Sequence, residues 1–311
     1  MTDTIWLASY PKSGNTWFRM LVANLSATDA PVDINNLPER GGIASGRGGF
    51  EFATLLDSGL LTHDEADALR PDVYAELAEG NAPDEIDGAE PDLGPRLVKA
   101  HDAYTDSPAG VPLLGGKRGA RGAIVIVRDP RDIAPSLANH RGTDIDEAIG
   151  FMNNDDAMFC GGFKMQAHQL RQRLLDWSGH VAGWLDQADL PVHLVRYEDL
   201  VARPVEIFRA AMIFAGRDVP RAAAERAADF ARFDRLQAQE RAGGFAEWRR
   251  AGRAGHLFFR RGESNGWRLD LTQDQVRRIE AAHAVMMARL GYERALCEDC
   301  TTGGIRVGDR G

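Results

Sequence analysis

The chain is poor in cysteine, with three in 311 residues, Cys160, Cys297 and Cys300. That number excludes a disulfide framework. The pair in Cys297-Glu298-Asp299-Cys300 has no second C-x-x-C to complete four ligands, so it reads as two thiols in a polar tail, not a metal or redox centre. No run of 18 apolar residues is present, which argues against a membrane span. The start, MTDTIWLASYPK, lacks a basic stretch ahead of a short apolar run, so no secretory signal is expected and the chain is predicted to be cytoplasmic. There is no internal repeat, and no G-x-x-x-x-G-K-[ST] loop.

The net charge of −9 is unevenly spread. Residues 51–95 hold thirteen Asp or Glu and one Arg, so the remaining residues carry about +3. An acidic chain is a poor partner for nucleic acid, yet its basic remainder can hold a small anion. The acidic stretch itself reads as a solvated surface before it reads as recognition of a cationic acceptor.

Short apolar runs at Ile5–Tyr10, Arg96–His101, Gly122–Arg128 and Val192–Tyr197 alternate with helical stretches. Runs such as AIVIV suit strands buried on both faces. The expectation is therefore an α/β fold, a doubly wound parallel sheet with helices on both faces. Helices are predicted over Trp17–Leu25, over Lys164–Trp184, over Pro204–Gly216 with proline first and glycine last, from Thr62 to about Glu79, and after Thr272 up to Gly291. Residues 31–95, with the glycine-rich segment 41–49, look like an insertion between the first two strands, either a solvated excursion or a lid over an acceptor pocket. The whole reads as one domain, 1–295, with a tail, 296–311.

Five segments carry chemistry. The first is Pro11-Lys12-Ser13-Gly14-Asn15-Thr16-Trp17, between a strand and a helix, where free N–H groups and the helix dipole suit a phosphate. The second is Arg128-Asp129-Pro130-Arg131-Asp132, with Ser136 eight residues after Arg128. Both side chains can reach one anion, although an arginine there can also pair with Asp129 or Asp132. The third is Phe258-Phe259-Arg260-Arg261-Gly262, within a stretch from Arg241 that has six arginines and one glutamate. The fourth is Lys99-Ala100-His101, a strand-end histidine fit to act as a general base. The fifth is Arg196-Tyr197-Glu198-Asp199-Leu200, which could set a ring near a base.

Together these segments resemble the sulfotransferases that use 3′-phosphoadenosine 5′-phosphosulfate (PAPS), in their cytosolic-type branch. The resemblance spans Ile5–Gly291, with the insertion as its weakest part. It implies a P-loop-like fold and transfer of a sulfuryl group to a hydroxyl or amine of a small-molecule acceptor, with 3′-phosphoadenosine 5′-phosphate (PAP) as product and no metal, nucleic-acid or membrane partner. Lys12 is implied to stabilise the leaving phosphate. Ser13, Gly14, Asn15 and Thr16 cradle it, and Trp17 stacks on adenine with Tyr197 and Phe258 nearby. Arg128, Ser136, Arg260, Arg261 and Gly262 hold the 3′-phosphate. His101, in a motif with Lys99, takes the acceptor's proton. Three positions depart from the pattern: Asn15 replaces threonine, Glu263-Ser264-Asn265-Gly266-Trp267 replaces a glycine-aspartate-tryptophan sequence, and Arg277 stands where the family's dimer motif has glutamate. The last leaves the oligomeric state open, and nothing in the sequence names the acceptor. The alternative is a P-loop kinase of a small molecule, which would need the missing glycine-lysine loop and a strand-end aspartate for Mg²⁺. A non-catalytic nucleotide-binding module is a third reading, which the presence of Lys12 and His101 disfavours.

Overall fold

The structure is a computed structural model and describes residues 2–37, 41–80, 96–162, 169–248 and 257–295. Four parallel strands, β1 (Thr4–Ser9), β2 (Arg96–Ala100), β3 (Gly122–Val127) and β6 (Val192–Arg196), form one sheet in the order β2-β1-β3-β6. The four apolar runs are these strands. Two-residue strands β4 (Met158–Phe159) and β5 (Gln172–Arg173) pair antiparallel beside it.

Every residue of β1 and β3 is buried. Side chains alternate across a strand, so each sequence feeds two cores. Trp6, Ala8, Val125 and Val127 face one core, and Ile5, Leu7, Ile124 and Ile126 the other. Helix α1 (Asn15–Ala23) covers the second face with Phe18 and Leu21, while α2 (Arg47–Thr54) and α3 (His63–Ala78) lie on the first through Phe50, Val73 and Tyr74. A short α4 (Gly116–Gly119) precedes β3. Helix α5 (Pro130–Arg141) packs Ile133 and Leu137 on the first face and is followed by α6 (Ile145–Met152) and α7 (Trp177–Asp186). The chain then runs through α8 (Tyr197–Ala202), α9 (Pro204–Phe214), α10 (Arg221–Phe230), α11 (Phe233–Gly243), α12 (Trp267–Asp270) and α13 (Gln273–Arg289).

After β1 the chain goes to the β2 side, whereas β3 and β6 lie on the other. Their helices α1 and α5 leave on opposite faces. The loops after β1 and β3 therefore part, and the crevice between them is where a sheet of this topology binds ligands.

One expectation changes. The run Lys164–Trp184 is not one helix. Residues 163–168 lie outside the described residues, Gln172–Arg173 is a strand, and the helix starts only at Trp177. Asp176 caps it by accepting from the Gly179 N–H, and Leu175 before it takes a left-handed φ of 60°. The hairpin hydrogen bonds and this cap outcompete helix continuation. The stretch 31–95, in the part described, contributes Phe50, Val73 and Tyr74 to the core. Helix α3 has the expected Thr62–Glu65 capping box, but it buries Arg70 completely, with hydrogen bonds to Asp102 at 2.7 and 3.1 Å. Residues 81–95 and the Cys297/Cys300 tail lie outside the described residues.

Candidate active site

Beyond the C-terminal ends of β1, β2 and β3 lies a cavity of about 460 Å³. It brings together Lys12, Gly14, Asn15, Thr16, Trp17, Lys99, His101, Arg128, Ser136, Tyr197, Phe258, Arg260, Arg261 and Gly262. Of the expected site residues only Ser13 is not on its wall. It sits fully buried behind the loop, its hydroxyl without a partner.

The loop after β1 holds its shape by backbone conformation. Lys12 adopts a left-handed φ of 71°, rare for a side-chain-bearing residue. Gly14 has φ 106°, and a Cβ there would meet the Tyr197 ring at 2.5 Å, so only glycine fits. No side chain caps the first turn of α1, which leaves its leading amides to a ligand. Asn15 spends both amide hydrogens on β1, on the Leu7 carbonyl at 2.9 Å and Ser9 Oγ at 3.2 Å. Its side chain therefore staples the loop to the strand, and its backbone N–H remains for a phosphate.

Lys12 Nζ lies 3.5 Å from the centre of the Phe258 ring. Burial first, then the charges of Arg128 and Lys99, push its pKa down to about 7. An anion would reverse the charge contribution. Arg128 stacks 4.3 Å over Tyr197 and donates to the Lys12 carbonyl at 3.3 Å and the Glu263 carbonyl at 3.0 Å. Among the described residues neither nearby aspartate forms an ion pair with it. Asp129 pairs with Arg131 at 2.6 Å, and Asp132 accepts the N–H groups of Asn265 and Trp267 at 2.7 and 2.9 Å. The Arg128 Nε is buried without a partner. A cation held in this way, with its head uncompensated, is what an anion site requires.

Trp17 donates its indole N–H to the Ala231 carbonyl at 2.9 Å and meets Tyr197 edge-on at 5.8 Å. Tyr197 opens α8; it does not end β6 as expected. Arg260 and Arg261 share Asp270, at 2.8 and 3.1 Å. Gly262 has φ 67°, and a Cβ would strike Phe233 at 2.1 Å.

At the other end of the cavity, His101 Nδ1 lies 2.8 Å from the Ser9 carbonyl oxygen. A carbonyl only accepts, so Nδ1 carries the hydrogen and Nε2 the lone pair. Burial, and then Lys99, hold the imidazole pKa well below its usual value, against the opposing effect of the Ser9 hydrogen bond. Lys99 Nζ sits 3.7 Å from Glu247, and burial lowers its pKa to about 8. Glu247 in turn takes both arms of Arg19 at 2.7 and 3.0 Å. Ile43, His140, Phe159, Gln169 and Gln172 complete this end.

Sequence reasoning missed Glu247, Arg19 and the glutamines. Glu247 did leave a signal, as the single acid among six arginines between Arg241 and Gly262. Gln169 and Gln172 left none, since they reach the cavity through a hairpin that the periodicity read as helix.

Residues 2–291 match the model of the sulfotransferase domain. Comparison with curated proteins gives no significant match. Three solved structures each resemble the chain over 92% of its length with a TM-score of 0.54. They are retinol dehydratase in complex with androsterone and PAP (17% identical, 80% of that chain covered), the same enzyme with retinol and PAP (17%, 81%), and the mouse sulfotransferase SULT7A1 with PAP (19%, 84%). At these identities the likeness establishes a shared fold.

Proposed function

The chain belongs to the sulfotransferase family, and from that premise we propose that it moves a sulfuryl group from PAPS to a hydroxyl or amine of a small-molecule acceptor. The observation that carries this reading is the His101–Ser9 hydrogen bond, which sets an unprotonated Nε2 in the same cavity as Lys12 and Arg128. The residues present fit the nucleotide. Ser13 Oγ and Arg128 Nε are buried polar atoms without partners at the two places where the phosphates would lie.

The bound donor supplies an activated sulfuryl group on a phosphate oxygen. The protein aligns and neutralises. The loop Lys12–Trp17 holds the 5′ end by its amides and Lys12. Arg128, Ser136, Arg260 and Arg261 hold the 3′-phosphate, and Trp17, Tyr197 and Phe258 flank the base. His101 Nε2 takes the acceptor's proton as the acceptor oxygen or nitrogen bonds to sulfur, and the sulfur–oxygen bond to the phosphate breaks. Lys12 stabilises the charge on the released oxygen, and Lys99 adds a second cation beside the histidine. The described residues give the kinase alternative no support: Asp129, the carboxylate after β3, is committed to capping α5 and to Arg131.

The test uses PAPS carrying labelled sulfur with a panel of alcohols, phenols and amines, together with binding of PAP against AMP. Labelled product and a preference for PAP support the reading. Equal affinity for PAP and AMP, with no transfer to any acceptor, overturns it.

A further inference from the structure

Two halves of the 3′-phosphate site come from distant parts of the chain. Arg128 and Ser136 stand at the β3–α5 junction, and Arg260 and Arg261 some 130 residues later. Something must hold the second pair in register with the first. Two adjacent guanidinium groups repel, and each has about 2 kcal/mol of rotamer freedom to spend in avoiding the other.

We propose that Asp270 is the positioning residue that presents Arg260 and Arg261 together to the 3′-phosphate; this rests on the 3′-phosphate assignment made above. One carboxylate serves both arginines. Oδ2 accepts from Arg260 Nη2 at 2.8 Å, and Oδ1 forms an ion pair with Arg261 Nη2 at 3.1 Å. The Asp270 side chain is only 13% exposed. Among the described residues no other group takes a hydrogen from the Arg260 guanidinium, so its Nε and Nη1 remain for a ligand.

Asp270 is itself fixed relative to the other half of the site. It ends α12, whose first residue, Trp267, is buried under the Arg131 guanidinium at 4.3 Å. The Trp267 and Asn265 amides both donate to Asp132, which lies one turn before Ser136 on α5. A continuous path therefore runs from α5 through Asp132, α12 and Asp270 to the two arginines. Helix α5 carries Ser136 directly and the arginine pair through this path. The same path explains how the chain manages without the glycine-aspartate-tryptophan sequence. The aspartate that fixes the turn comes from α5 and not from the turn itself.

Removing Asp270 has two opposing effects, and they are separable. Loss of a negative charge strengthens the site for any anion, AMP included. Loss of positioning weakens only a ligand with a 3′-phosphate. The experiment is calorimetric titration of the wild type, Asp270→Ala and Asp270→Asn with PAP and with AMP. The Ala variant is expected to lose about tenfold in PAP affinity, the size of one charge-assisted hydrogen bond, with AMP changed less than twofold. Asn, which keeps one accepting oxygen, should fall between. Thermal unfolding without ligand reports folding, and the isosteric Asn variant serves if Ala does not fold. An unchanged or raised PAP-to-AMP ratio in either folded variant overturns the proposal. A wild type that does not distinguish PAP from AMP removes the 3′-phosphate assignment, and the role of Asp270 with it.

Discussion

His101 donates its Nδ1 hydrogen to the backbone carbonyl of Ser9 across 2.8 Å, and this contact ties the base to the strand that carries the phosphate loop. The bond fixes the tautomer, so in the neutral ring Nε2 is the nitrogen left to accept a proton. It also fixes the ring relative to Lys12, three residues after Ser9. Replacement by Ala should lower kcat by roughly 10²–10⁴-fold, the usual contribution of a positioned base. PAP affinity, read by calorimetry, should stay within twofold. Retained turnover would exclude His101 from proton transfer.

The acid limb of the rate profile follows from the same residue. Its pKa is depressed, so the imidazole is already neutral at pH 7 and loses function only as pH falls through that lowered value. With saturating PAPS, kcat should be flat from pH 7 down to 6.5 and decline only below it. A limb centred at or above pH 6.5 would contradict the buried, lysine-flanked setting.

Lys12 gives the opposite pH response in binding. In the free enzyme its pKa is near 7, so at pH 8 it is mostly neutral. Phosphate contacts favour the charged form and raise that value, so binding at pH 8 takes up a proton and affinity falls as pH rises above 7. Calorimetry of PAP binding at pH 8 in buffers of different ionisation enthalpy should show uptake of close to one proton. Buffer-independent heats would refute this.

Arg128 is predicted to supply selectivity. Arg128→Ala should weaken PAP by about 10–100-fold, as for a charge-assisted hydrogen bond of about 1.5–3 kcal/mol, and leave AMP nearly unchanged. Lysine should not rescue it, because the stacking on Tyr197 and the two carbonyl contacts require the planar fork. Equal losses for PAP and AMP would place Arg128 elsewhere on the nucleotide.

Arg70 tests the wall built by α3. It is wholly buried against Asp102, the residue after His101, and against Asp67. Arg70→Ala leaves the buried Asp102 carboxylate without its ion-pair partner, takes from Asp67 one of its two arginines, and should cost about 3–5 kcal/mol in denaturant unfolding. A loss below about 1 kcal/mol would mean that α3 is not structurally coupled to the histidine strand.

Much of the fold was readable because strands buried on both faces have an unmistakable composition. The runs at Thr4–Ser9 and Gly122–Val127 could hardly be anything else, and the Thr62 and Thr272 capping boxes marked where their helices start. Trp177–Asp186 was overextended because apolar spacing at three and four continues through a hairpin, and only the Asp176 cap and the pairing with Met158–Phe159 end it. The burial of α3 was invisible. A stretch so rich in acids reads as solvated, and the partners that satisfy it, Arg70 on Asp102 and Arg171 on Asp67, lie far apart in sequence or within the acidic stretch itself.

The sequence alone determined which residues could hold an anion, because a lysine in a strand–helix loop, an arginine at a strand end and a serine two turns later are local patterns with local physical reasons. It also determined the family those patterns resemble. Tertiary structure decided which of these cations remain uncompensated. Among the described residues Arg128 makes no ion pair, because Asp129 and Asp132, its neighbours in sequence, are claimed by Arg131 and by the amides of Asn265 and Trp267. Arg260 and Arg261 are instead joined by Asp270. Charge compensation depends on distance in space, and no spacing along the chain reveals which carboxylate reaches which guanidinium.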